Sequence, residues 1–163
     1  KPQFDEQKLF EKLCLEGQQA GLSWITILKK RENYRNAFFH FEPEKVAQMT
    51  AEDIDQCMQN PGLIRYRAKL EAIVKNAQAF LAMKKCGENF SDFIWSFVNH
   101  QPQMNDIPEL SVVPAQTTTS IEMSKALKKR GFVFVGPTTC YAFMQSMGLV
   151  NDHWNQCHCK SPD

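Results

Sequence analysis

Apolar residues recur at three- and four-residue spacing along almost the whole chain, and no segment sustains an alternation of apolar and polar positions. A helix brings i, i+3, i+4 and i+7 to one face, whereas a half-buried strand needs a period of two. The pattern therefore predicts an all-α domain. Leu9, Phe10, Leu13, Cys14 and Gly17 form one such stripe, with Asp5 placed to cap its helix, which ends near Ala20 and Gly21. Ser23 is placed to cap a second helix through Ile25, Ile27, Leu28, Tyr34 and Phe38. Pro43 marks a helix start, and Thr50 to Asp53 reads as a capping box that opens a short helix.

A long helix is expected from about Tyr66 to Lys85, with Leu70, Ile73, Val74, Ala77 and Leu81 on one face and Cys86-Gly87 closing it. "FSDFIWSFV" reads as a short apolar helix. The proline-bearing stretch from His100 to Thr119 reads as a surface loop. A helix to Arg130, a turn over "GFVFVG" and a last helix from Pro137 through Phe143 and Met147 complete the chain. With 163 residues, one core suffices, because chains near this size bury roughly 70% of their unfolded surface. Residues 1–163 are therefore expected to form a single domain.

Composition removes several classes of function. Hydrophobic residues make up 43% and charged residues 23% of the chain, the balance of an ordinary globular protein. No apolar run approaches the length of a membrane span, and the opening "KPQFDEQK" has no hydrophobic signal region, so the expected location is the cytoplasm. Six cysteines, Cys14, Cys57, Cys86, Cys140, Cys157 and Cys159, lack the regular spacing of a secreted disulfide framework. The net charge of only +1 leaves any case for nucleic acid to local clusters.

Three such clusters exist: Lys29 to Arg31; Arg65, Arg67 and Lys69; and Lys128 to Arg130. The last precedes a turn bounded by Gly131 and Gly136, whose backbone N–H groups and following helix N-terminus suit a phosphate. This is the layout of a helix-hairpin-helix, at about residues 119–148; a solvated basic helix end is the alternative. In "LEGQQAGLSW", Glu16 falls within about 20° of Leu9 on the helical wheel, on the shoulder of the buried stripe. A carboxylate there either pairs internally or waits for a ligand. With Trp24 beyond the turn, the stretch has the parts to hold a flat nitrogenous ring, hydrogen-bonded at its edge and stacked on its face. His153 and Cys157 stand four apart, a spacing that on a helical turn lets an imidazole and a thiolate share zinc. An unligated tail is the alternative.

"LFEKLCLEGQQAGLSWITILKKRENYRNAF", "GLIRYRAKLEAIVKNAQAF", "FIWSFVNHQP" and "KALKKRGFVFVGPTTCYAFMQSMGLVNDH", in this order over nearly the whole chain, resemble the bacterial 3-methyladenine DNA glycosylases of the constitutive (Tag) type. The resemblance implies a helix-hairpin-helix glycosylase fold with a C-terminal zinc-binding end. It also implies base-excision repair: flipping 3-methyladenine out of alkylated double-stranded DNA and releasing it hydrolytically as the free base, by a monofunctional, monomeric enzyme. By position, Glu16 matches the family's base-recognising glutamate, counted as its catalytic residue, and Trp24 its stacking tryptophan. Leu22 falls in the loop that enters the DNA stack, and Lys128, Lys129, Arg130, Gly131 and Gly136 fall in the DNA-binding hairpin. His153 and Cys157 match two of four zinc ligands. The family opens with a short segment holding further Cys and His ligands and a "YHDxEWG"-like motif, and this sequence starts just past it. Asp152, beyond the final helix, is read as structural before catalytic. Two rival functions are a non-catalytic helix-hairpin-helix DNA-binding module, or inactive fragment, and a small helical metal-binding adaptor.

Overall fold

The computed structural model describes residues 3–19, 23–101, 103–107 and 117–154. Eight α-helices and one 3-10 turn carry most of these: α1 Glu6–Gln19, α2 Trp24–Ala37, the 3-10 turn Phe39–Phe41, α3 Pro43–Val46, α4 Ala51–Met58, α5 Arg67–Lys85, α6 Phe90–Ser96, α7 Thr118–Lys129 and α8 Pro137–Ser146. The expected caps are present. The Lys8 amide donates to Asp5 Oδ1 at 3.0 Å, the Thr26 amide to Ser23 Oγ at 3.3 Å, and Thr50 and Asp53 form a reciprocal capping box. A second box, Thr117 with Ser120, opens α7. None of the helices among the described residues is long and apolar enough to cross a membrane.

The helices enclose a core in which phenylalanines run from one end to the other. Phe41 meets Phe10 edge-on, Phe10 and Phe80 lie 5.4 Å apart, Phe80 and Phe90 5.2 Å, and Phe90 stacks on Phe132 at 5.8 Å. Through Phe132 the turn between α7 and α8 is seated on the same core that holds α1 and α5. Helix α1 packs against both α5 and α8, which puts its C-terminal half beside that turn.

Two expectations change. The expected α2 stripe is only partly buried: Ile27, Tyr34 and Phe38 face the core, but Ile25 is 62% and Leu28 45% exposed. The all-α expectation also lacks one feature, a two-stranded parallel ribbon of β1 Gln103–Ile107 and β2 Val150–Trp154. β1 lies inside the stretch expected as a loop, and β2 follows α8 directly. Each strand is short and finds its ladder only in the other, so local periodicity carries no trace of either.

Candidate functional site

Glu16 sits in the C-terminal half of α1 and is 4% exposed. Its carboxylate is held from two sides: Ser146, the last residue of α8, donates its hydroxyl to Oε2 at 3.1 Å, and Lys12 Nζ, one turn earlier on α1, stands 3.3 Å from the same oxygen. Burial lowers the pKa of Lys12, and the Glu16 carboxylate opposes that shift. Lys12 and Ser146 both line a cleft of about 760 Å³, together with Leu15, Arg31 and Met147. Arg31 Nε is buried there without a hydrogen-bond partner among the described residues. The buried carboxylate is thus reached through groups that themselves face open space.

The residues after Glu16 secure the helix end. A Cβ on Gly17 would lie 3.0 Å from the carbonyl oxygen of Phe134, so glycine is what lets α1 press against the α7–α8 turn. Gln18 is buried; its Nε2 donates to the Lys69 carbonyl at 2.6 Å, and its Oε1 accepts from the Tyr34 hydroxyl at 3.2 Å. Burial pushes that hydroxyl up to about 12. Lys69 Nζ donates back to the Gln18 carbonyl, so it is absorbed here instead of joining a basic face.

The turn between α7 and α8 is fixed from inside. Gly131 takes φ +99°, a conformation open to glycine, and Phe132 is buried against Phe90. Asn76 of α5 accepts from the Val133 amide at 2.8 Å and donates to the Val133 carbonyl at 3.2 Å. Phe134 is 38% exposed and holds a left-handed φ of 57° between these anchored neighbours. The Cys140 thiol, whose pKa burial pushes up to about 12, donates to the Val135 carbonyl. Gly136 is the N-cap of α8; among the described residues no side chain caps it, and a Cβ there would meet none of them within 4 Å. No described residue stands over the position a side chain at Gly136 would take.

The charges predicted to flank this turn divide. Lys128 and Lys129 are exposed on the last turn of α7. Arg130 is turned inward: Nε and Nη2 donate to the Glu88 carboxylate at 3.1 and 2.8 Å, and its guanidinium lies over the Phe93 ring. Arg67 is likewise paired with Asp55 and Glu71. The electrostatic face is smaller than the sequence clusters suggest.

Asn76, Lys12 and Ser146 were not picked out from the sequence. Asn76 left one signal, a carboxamide in register with Ile73, Ala77 and Phe80 on the buried face of α5. Lys12 left another, a basic residue one turn before an inward-facing acid.

Leu22 and Cys157 lie outside the described residues. Trp24 opens α2, and its ring also lies outside what is described. His153 belongs to β2, in register with Asp106 of β1, and Asp152 pairs with Asn105. His153 itself is in a strand, not a helical turn, and Cys157 lies outside the described residues. Among the described residues no group of three His, Cys, Asp or Glu could hold a metal ion, so these residues do not by themselves fit a tetrahedral zinc site.

The fold and site define a mainly helical protein with a buried carboxylate on α1 beside the turn between α7 and α8. Comparison with known proteins then narrows the class. Residues 1–160 match the methyladenine glycosylase family. The chain is 75% identical over 161 residues to the DNA-3-methyladenine glycosylase of Haemophilus influenzae, covering 99% of this chain and 87% of that protein. It is 60% identical over 158 residues to DNA-3-methyladenine glycosylase 1 of Escherichia coli, covering 97% and 84%. A crystal structure of a 3-methyladenine DNA glycosylase I variant in complex with 3-methyladenine superposes with a TM-score of 0.92 at 46% identity, covering 99% of this chain and 87% of that one. The chain belongs to the methyladenine glycosylase family.

Proposed function

We propose that this protein is a DNA-3-methyladenine glycosylase of base-excision repair, a monomeric cytoplasmic enzyme acting on alkylated double-stranded DNA. Methylation at N3 makes adenine cationic in the nucleotide, so the glycosidic bond is weakened and the base departs neutral. The protein's work is then to bend the duplex, extrude the nucleotide and hold the base, an unstacking that costs a few kcal/mol and least for a damaged base. Glu16 accepts hydrogen bonds from the exocyclic amine and favours a positively charged ring over neutral adenine. Trp24 stacks on that ring, with a cation–π contribution while the charge lasts. Leu22 fills the gap left in the duplex. As the glycosidic bond breaks, its electrons return to the purine; water adds to the sugar carbon and loses a proton, leaving an abasic site and free 3-methyladenine. No lysine nucleophile is assigned, so no lyase step follows.

The observation that carries this reading is the Glu16 carboxylate, buried and donor-held at a cleft in a chain 75% identical to a DNA-3-methyladenine glycosylase. The deciding experiment is release of 3-methyladenine from methylated duplex DNA. Duplex binding without release would favour the non-catalytic DNA-binding module.

The hairpin is the phosphate clamp in this reading, with Lys128, Lys129 and the backbone at Gly136 facing the DNA and Gly131 supplying the turn. Arg130, spent on Glu88, supports the turn from behind. Duplex affinity should therefore fall steeply with salt, and the Lys128→Glu, Lys129→Glu double variant should weaken binding to all sequences about equally. Gly136→Ala should melt near the parent, since its Cβ meets none of the described residues, yet bind duplex less well because the methyl group stands where a phosphate approaches. Filter binding across a salt series reads all three; affinity independent of salt would remove the DNA clamp.

His153 and Cys157 are proposed as zinc ligands, and no chemical step runs through the metal. Two ligands cannot close a tetrahedral site, so the 163-residue chain should lose zinc to a mild chelator. Stoichiometric, chelator-resistant zinc measured by atomic absorption would show that four ligands are assembled in it.

A further inference from the structure

We propose that Lys12 is the resident cation of the base-recognising carboxylate, so that a cationic purine enters by exchange with the lysine. The inference rests on the reading of Glu16 as the group that recognises the base. Lys12 Nζ stands 3.3 Å from Glu16 Oε2, with the lysine side chain 14% and the glutamate 4% exposed. A carboxylate this buried is costly to leave uncompensated, and Lys12 supplies the charge that Ser146, a neutral donor, cannot. Burial disfavours the charge of Lys12, and Arg31, which lines the same cleft, repels it, against the attraction of Glu16 and Glu11. Its four-carbon stem lets the ammonium swing along the cleft into water without moving the backbone.

The exchange has two consequences. A cationic base replaces one positive charge by another, so the buried carboxylate stays compensated throughout. Neutral adenine has no charge to offer in return for the ammonium, and it either leaves Lys12 in place or strands Glu16. Lys12 thus acts through Glu16 as a specificity-determining residue and opposes retention of the product, because the lysine returns as the base leaves.

The test is a double-mutant cycle on the whole chain, with parent, Lys12→Met, Glu16→Gln and the double variant. Each is titrated with 3-methyladenine and with 3,9-dimethyladeninium, which carries the charge of the N-glycosylated base permanently, and each is melted in parallel. Lys12→Met should tighten binding of the adeninium by about tenfold, between the small value of an exposed ion pair and the large one of a buried pair. The same substitution in the Glu16→Gln background should change nothing, and Lys12→Arg, which keeps a cation there, should bind like the parent. If Lys12→Met folds poorly, Lys12→Gln serves the same cycle. Unchanged or weaker binding by Lys12→Met, with Glu16→Gln weakened, overturns the exchange while the role of Glu16 stands. An equal effect of Lys12→Met in both backgrounds also overturns it, because a merely structural lysine behaves so. Unchanged binding by Glu16→Gln removes the underlying reading instead.

Discussion

Glu16→Gln should leave the protein folded and reduce excision of 3-methyladenine by about a hundredfold or more, the loss expected when a charged hydrogen-bond partner in a water-poor site becomes neutral. The carboxamide has the size of the carboxylate and can still accept from Ser146, so packing between α1 and α8 survives. Lys12 loses its counter-charge, but its cleft lets the ammonium reach water, which limits the cost to stability. What is lost is the negative charge that, in the proposed reading, distinguishes a methylated, cationic ring from adenine. Undamaged duplex should bind as it does to the parent, since in the proposed reading the α7–α8 turn carries that contact. Excision measured on methylated DNA, beside a melting curve and a binding isotherm, separates these outcomes. Excision within twofold of the parent would reduce the Leu15–Trp24 stretch to a helix junction.

Phe132→Ala should cost about 3–5 kcal/mol, the range for truncating a large buried aromatic side chain. Phe132 is 2% exposed and stacks on Phe90, which continues through Phe80 to Phe10. Against a typical total stability of about 5–15 kcal/mol, that is a loss of roughly 6–20 °C in melting temperature. The effect should reach DNA, because the Val133 and Phe134 backbone between Phe132 and Gly136 is positioned from this anchor and from Asn76. Duplex affinity should fall even at temperatures where the variant is folded. Phe134→Ala, two residues on, truncates a side chain 38% exposed and should melt much closer to the parent. Calorimetric melting of both variants checks the contrast, and equal melting temperatures would mean that the hairpin is not seated through Phe132.

The parts of this protein legible in the sequence are those that a few neighbouring residues decide. Asp5, Ser23 and Thr50 cap helices within three residues of themselves, and the stripe from Leu9 to Gly17 repeats with the helix's own period. The inward tilt of Glu16 follows from the same geometry. So does the glycine-bounded turn, since Gly131 needs only its own φ to stop α7. The match of residues 1–160 to the methyladenine glycosylase family then supplies what such a layout is used for.

Tertiary structure alone decided which of these groups are spent and which are available. Lys128, Lys129 and Arg130 are one run in sequence, yet Arg130 is taken by Glu88, 42 residues away, and leaves the two lysines exposed. Ser146 reaches Glu16 across 130 residues, and Asn76 reaches Val133 across 57. The parallel ribbon likewise joins segments that have no strand signal apart. Local patterns are set by 3.6 residues per turn and by caps, which read only a few positions ahead. The partner of a charge or a carboxamide is set by which helices pack together, and that depends on the whole core at once.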